Sequence, residues 1–154
     1  MNIKKIFFLI PNLGGAGSEK TIINLANSFF NKNYEVSVVV LSSQNDKKKD
    51  RRYIYENILD NKIKLINLKT NRVLFSFIKF RKLIKKEKPD LLISVLTHTN
   101  ILCCICSLFL PNKIIILEQI PVIQTILNKW LNIFIYLVAI PSYIKANYVI
   151  STCK

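Results

Sequence analysis

Glycine is scarce in this chain of 154 residues. There are three, Gly14, Gly15 and Gly17, all within four consecutive positions. Average usage of about 7% would scatter roughly eleven along such a length. Histidine occurs once, as His98, and the four cysteines (Cys103, Cys104, Cys106 and Cys153) contain no paired CxxC spacing: Cys103 and Cys106 are three apart, but no second such pair exists. A zinc site built on paired ligands is therefore excluded, and the crowded cysteines read as buried, reduced thiols consistent with a reducing cytoplasm. Acidic residues number 9 against 23 basic ones, a formal charge of +14. That excess favours an anionic partner: nucleic acid, an anionic membrane surface or a phosphorylated ligand. Long apolar runs are missing too. In the Ile-, Leu- and Phe-rich stretch after Lys113, the longest uncharged run, Trp130 to Ile144, contains Asn132 and Pro141 and falls short of the roughly 20 apolar residues of a membrane span. The opening MNIKKIFFLIPNLGG leads into Gly-Gly and not into a small-residue cleavage site, so it reads as a first strand and not as a secretory signal.

The remaining sequence alternates between two periods. Lys4 to Ile10 is a short apolar run, followed by a helix with Ser18 as its expected N-cap and Ile22, Ile23, Ala26, Phe29 and Phe30 on one side. EVSVVVL, Glu35 to Leu41, suits a strand covered on both faces. A polar stretch, SSQNDKKKDRR, reads as a solvated loop with a short helical turn near Tyr53 to Leu59, and KIKLINL, Lys62 to Leu68, alternates like a strand near a sheet edge. The spacing of Val73, Phe77, Phe80 and Ile84 predicts a helix over 72–88 with lysines on its other side, closed by Pro89. Asp90 to Val95 is a fourth strand, Thr97 to Leu110 a helix, Lys113 to Glu118 a fifth strand, 121–143 a long apolar helix and Asn147 to Ser151 a sixth strand. Six alternations of apolar strand and crossover helix argue for an α/β fold with an open, parallel, doubly wound sheet.

Concentrating every glycine behind the first strand implies a backbone need there: positive φ, close approach of a ligand to the main chain, or both. A P-loop does not satisfy the pattern. Glu19 stands where its second glycine belongs, and a carboxylate there would repel phosphate. Glu19 is better placed as an acidic residue in the first turn of a helix. The dinucleotide pattern G-x-G-x-x-G is absent as well, and no acidic residue ends the second strand.

LGGAGSEKTIINLANSFFNKNYEVSVVVL does resemble the opening of the family-4 glycosyltransferases, with Gly14, Gly15, Gly17, Glu19, Leu25, Ala26 and Val36 in register and Asn33-Tyr34 in place of the usual Gly-His. KPDLLISVLTHTNILC, ILEQIP and ANYVIST resemble later segments of that family, in order, so the resemblance covers nearly the whole chain. It implies a Rossmann-like domain that is one half of a GT-B arrangement, residues 1–154 forming the N-terminal, acceptor-side domain. The Glu-x7-Glu of the donor-binding C-terminal domain is absent from this sequence.

The activity so implied is transfer of a hexosyl or N-acetylhexosaminyl group from a nucleotide sugar to a glycan or lipid-linked acceptor. The nucleotide sugar is a co-substrate, and no cofactor or metal is expected. Ligands of a doubly wound sheet gather outside the carboxyl ends of its strands, where the glycine loop, His98 and Glu118 should meet. The resemblance implies His98 as the catalytic group and Gly14, Gly15, Gly17, Ser18, Glu19, Thr97, Asn100 and Glu118 as substrate-binding residues. It also implies a cytoplasmic protein, with the basic helix 72–88, Lys47 to Lys49 and Arg51-Arg52 available to an anionic membrane surface. Two alternatives stay open: a transferase half inactive without a separate donor-binding domain, and a basic membrane- or nucleic-acid-binding protein. No nucleic-acid stacking motif is visible, so nucleic acid is not an expected partner.

Overall fold

The computed structural model describes residues 3–13, 17–42, 58–70, 73–118 and 141–151. Six parallel strands, β1 (Lys5–Ile10), β2 (Glu35–Ser42), β3 (Lys64–Thr70), β4 (Leu91–Val95), β5 (Lys113–Glu118) and β6 (Tyr148–Ser151), lie in the order β3-β2-β1-β4-β5-β6. Among the described residues, three full helices intervene: α1 (Gly17–Asn31), α2 (Val73–Glu87) and α3 (Thr97–Cys106). This is the doubly wound, Rossmann-like order expected from the sequence, and its direction reverses between β1 and β4.

Alternation along β1 sorts the core into two layers. Ile6, Phe8 and Ile10 pack with Ile22, Ile23 and Ala26 of α1 on one face. Phe7 and Leu9 pack with Phe80 and Ile84 of α2 and Leu102, Cys103, Cys104 and Cys106 of α3 on the other. Each fully buried Phe contributes on the order of 2–3 kcal/mol. The three cysteines are free thiols. Burial pushes Cys104 up to about 11 and Cys106 to about 12, so both stay protonated.

Several boundaries differ from expectation for local reasons. Helix α1 begins at Gly17, so Ser18 is its second residue and not its N-cap; Ser18 and Glu19 are buried in the first turn. Strand β3 starts two residues late because Asp60 holds a turn, its side chain accepting from the Lys62 N–H at 2.8 Å and its carbonyl from the Ile63 N–H at 2.9 Å. Helix α3 stops at Cys106: Phe109 turns left-handed at φ 62°, and Arg81 donates to the Cys106 carbonyl at 2.8 Å and the Leu108 carbonyl at 3.2 Å. Strand β6 exposes all four residues at the sheet edge. Residues 141–143 are helical, whereas 121–140, the polar stretch 43–57 and Cys153 lie outside the described residues.

Candidate functional site

Strand order locates the site before any side chain is considered. At the reversal between β1 and β4, the connections leaving the two strands diverge to opposite faces and open a crevice outside their carboxyl ends. The chain after β1 runs to α1, and the chain after β4 runs through Leu96 to α3. Leu96 has φ 73° and ψ 137°, a backbone state costly for a branched side chain, and it provides no side-chain cap to α3. The strained residue turns the chain abruptly, so Thr97 and His98 begin the helix at the rim.

A connected polar network stands behind that turn. Glu118 ends β5 with only 6% of its surface exposed. Its Oε1 accepts from the Thr97 hydroxyl at 2.6 Å, and its Oε2 from the Asn100 amide at 2.9 Å and the Tyr143 hydroxyl at 2.8 Å. Asn100 also donates to the Leu117 carbonyl at 3.1 Å and accepts from the Ser94 hydroxyl at 2.7 Å, which fixes its amide orientation. Thr99 turns back to the carbonyls of Val95 and Leu96. Burial and the bond to Glu118 push the Tyr143 hydroxyl well above the usual phenol range, so it remains a donor.

His98 is the outward member of this group. It is exposed at the surface, yet protein still screens part of its ring from water. This desolvation lowers its pKa, with the Glu118 carboxylate pulling the other way. The ring is therefore mostly neutral at pH 7, able both to accept and to donate a hydrogen bond. Across the crevice, Glu19 lies in the first turn of α1. A Cβ added to Gly17 would meet nothing within 4 Å, so described protein does not demand glycine there. Gly14 and Gly15 lie outside the described residues. Among the described residues, no group of three His, Cys, Asp or Glu side chains could hold a metal ion.

The structure thus brings Thr97, His98, Asn100 and Glu118 together on one side of the rim and carries Gly17, Ser18 and Glu19 on α1. Sequence reasoning missed Ser94 and Tyr143. Tyr143 falls in a stretch that reads only as apolar helix, and 25 residues separate it from Glu118. A groove of about 460 Å3 opens at the opposite rim, lined by Ile84, Lys85, Lys88, Pro89 and Leu110 among others. It lies at the amino ends of the strands, and the unpaired amide of nearby Asn112 is sealed from solvent, so we do not assign it as the site.

This architecture is that of a GT-B Rossmann-like domain. UGT2 of Phytolacca americana, solved with UDP-2-fluoro-glucose and pterostilbene, superposes on all of this chain at a TM-score of 0.69 and 9% identity, and the chain covers 49% of it. A structure from Listeria monocytogenes assigned as a UDP-N-acetylglucosamine 2-epimerase matches 98% of this chain at a TM-score of 0.63 and 12% identity, with 39% of its own length covered. Further glycosyltransferases are among the matched folds. No protein-family model matches the chain.

In sequence, the chain is 31% identical over 125 residues to the GalNAc-alpha-(1->4)-GalNAc-alpha-(1->3)-diNAcBac-PP-undecaprenol alpha-1,4-N-acetyl-D-galactosaminyltransferase of Campylobacter jejuni subsp. jejuni serotype O:2. That alignment takes in 75% of this chain and 32% of the relative, so the chain spans about a third of the relative's length. With fold and sequence agreeing, the chain belongs with the GT-B glycosyltransferases.

Proposed function

We propose that this domain is the acceptor-side half of a glycosyltransferase that moves a hexosyl or N-acetylhexosaminyl group from a nucleotide sugar to a glycan or lipid-linked acceptor. The fold alone is shared with an assigned epimerase, so the observation that carries the reading is the sequence relationship to a transferase that spans 75% of this chain. The rim agrees with it. His98 is exposed beside a buried network and can hydrogen-bond an acceptor hydroxyl or steady charge developing on the departing diphosphate. The open space beside Gly17, at the positive end of α1, leaves room for a sugar or phosphate to approach main chain. Thr97, Asn100 and Glu118 are engaged with one another and form the wall behind His98.

NMR of the chain with a soluble polyprenyl-diphosphate-linked oligosaccharide analogue tests the reading. The analogue is expected to perturb His98 and the first turns of α1 and α3. Perturbation confined to the opposite rim would overturn it.

The finer partner in this reading is an anionic bilayer that delivers the lipid-linked acceptor. No described helix is long and apolar enough to cross a membrane. Lys82, Lys85 and Lys86 are exposed on α2, and the neighbouring turn presents Leu108 and a Phe109 that is 96% exposed. Lysines near such a surface contribute about 1 kcal/mol each, and an unburied Phe gains by entering the interface. Flotation with acidic but not neutral vesicles is expected, and equal recovery from both would refute electrostatic attachment.

A further inference from the structure

A buried carboxylate with no cationic partner among the described residues needs a reason. The ion pairs among the described residues involve Lys5, Glu35, Lys64 and Glu87, none of them at this rim. Glu118 is instead met by three neutral donors from two separate parts of the chain: Thr97 and Asn100 on α3 and Tyr143 on the helical turn before β6. All three point inward, which calls for a group that only accepts; a carboxylate does this with both oxygens, and an amide with one. A neutral glutamine would avoid the desolvation cost of a charge at this depth, so the retained charge implies a task.

We propose that Glu118 is the positioning residue of the rim: with Tyr143 and Asn100 on one oxygen and Thr97 on the other, it clamps the first turn of α3 and fixes where the His98 imidazole stands. Asn100 is held by Ser94 of β4 and the Leu117 carbonyl of β5, so the clamp ties α3 to both strands beneath it. Tyr143 closes the β5–β6 connection onto the same carboxylate from 25 residues away. The charge of Glu118 also acts on the imidazole, since among the described residues it is the one group that favours the protonated ring against desolvation. Of the other described elements around His98, α1 carries Glu19 across the crevice and the rest contribute little charge. Strand β4 has no ionisable side chain, α3 carries no acidic or basic residue in its first or last turn, and the helical turn contributes the protonated Tyr143. Lys145 reaches the Asn112 carbonyl at 3.4 Å, at the other end of the sheet. The inference rests on the reading of His98 as the acting group of the site, but its test requires no sugar.

His98 is the sole histidine of the chain, so its imidazole signals in a ¹H–¹³C spectrum have one origin. Titration of wild type, Glu118→Gln and Glu87→Gln, all with the core methyl spectrum of the folded chain, is the experiment. Glu118→Gln is expected to move the His98 midpoint down, and Glu87→Gln, at the opposite rim, to leave it in place. A Glu118→Gln midpoint equal to that of wild type, or one matched by Glu87→Gln, overturns the proposal. Tyr143→Phe keeps the carboxylate and removes one donor, and is expected to displace the His98 ring signals at constant pH. Should Glu118→Gln not fold, unmoved ring signals in Tyr143→Phe overturn it instead. Absence of sugar transfer would bear on the transferase reading and leave this result intact.

Discussion

At the amino ends of the strands, Lys5 meets Glu87 at 2.7 Å and Glu35 at 3.1 Å, Lys64 meets Glu87 at 3.3 Å, and Asp90 accepts the N–H groups of Lys4 and Lys5 at 2.9 Å each. At the carboxyl ends of the same sheet, Glu118 sits among neutral donors, Leu96 is strained and His98 faces solvent. The first rim pairs its charges and ties strands together; the second, among the described residues, leaves a carboxylate without a cationic partner, orders a helix start and exposes one imidazole. Strain and unpaired charge cost stability, and they collect where a ligand must be received. Asn147 shows the same division. It pairs with both backbone groups of Ile114 at the amino rim, 2.8 and 2.9 Å, so the KPD and ANYVIS segments that resemble the transferase family supply pins there and no chemistry.

The contrast is sharpest in His98→Ala. In a transfer-competent enzyme carrying this half, kcat is expected to fall by about 10²–10³-fold, the scale for losing one group that stabilises the transition state, with the thermal midpoint unmoved. A fall in midpoint with full activity would erase the distinction between the rims. Asp90→Ala is the converse. It leaves the Lys4 and Lys5 N–H groups at the start of β1 without their acceptor and is expected to cost about 1–2 kcal/mol in urea unfolding, roughly 2–6 °C in Tm for a chain this size, with acceptor binding retained.

Acid separates the rims by sign. Hydrogen bonds from Lys5 and Lys64 lower the Glu87 pKa, and the backbone N–H groups of Lys5 and Lys4 lower that of Asp90. Both therefore stabilise the fold above the unfolded values of 4.5 and 3.8 and lose that contribution as pH falls through their lower folded values. Partial burial opposes the charged form of Lys5, but its bonds to Glu87 and Glu35 outweigh this and raise its pKa, so its contribution is complete below 10.5 and lost above. His98 behaves oppositely to the carboxylates' partner: its folded pKa lies below 6.5, so stability is full above that pH and declines as pH falls towards the folded value. Urea unfolding from pH 7 to 3 should thus show a shallow loss below 6.5 and a steeper one below 4.5. His98→Gln should remove the first and Glu87→Gln reduce the second. The smallest expected effect is Gly17→Ala. Since the added methyl meets open space, stability should stay level or rise by a few tenths of a kcal/mol, while affinity for the acceptor analogue falls if a ligand approaches the main chain there.

Much of this was legible in advance. Apolar alternation placed five of the six strands within a residue of their starts, and Lys113–Glu118 in full. Strand β3 was displaced because the turn held by Asp60 leaves no mark in hydropathy. The end of α3 was missed because Arg81, sixteen residues before the helix starts, satisfies its last carbonyl, that of Cys106. At the site, His98 stood out as the only histidine, after a strand, and Glu118 as a strand-end carboxylate. Nothing local identified Tyr143 or Ser94 as their companions.

By itself, the sequence determined the alternation of strands and helices and the two-faced layering of a doubly wound sheet, since side-chain period and connection chemistry act within a few residues. It also confined the glycines to one connection, at the edge where doubly wound sheets take ligands. Only the tertiary structure decided which charges are pins and which belong to the site. Whether a carboxylate meets ammonium groups or neutral donors depends on residues brought together from 18 to 86 positions away, and no local pattern encodes that meeting.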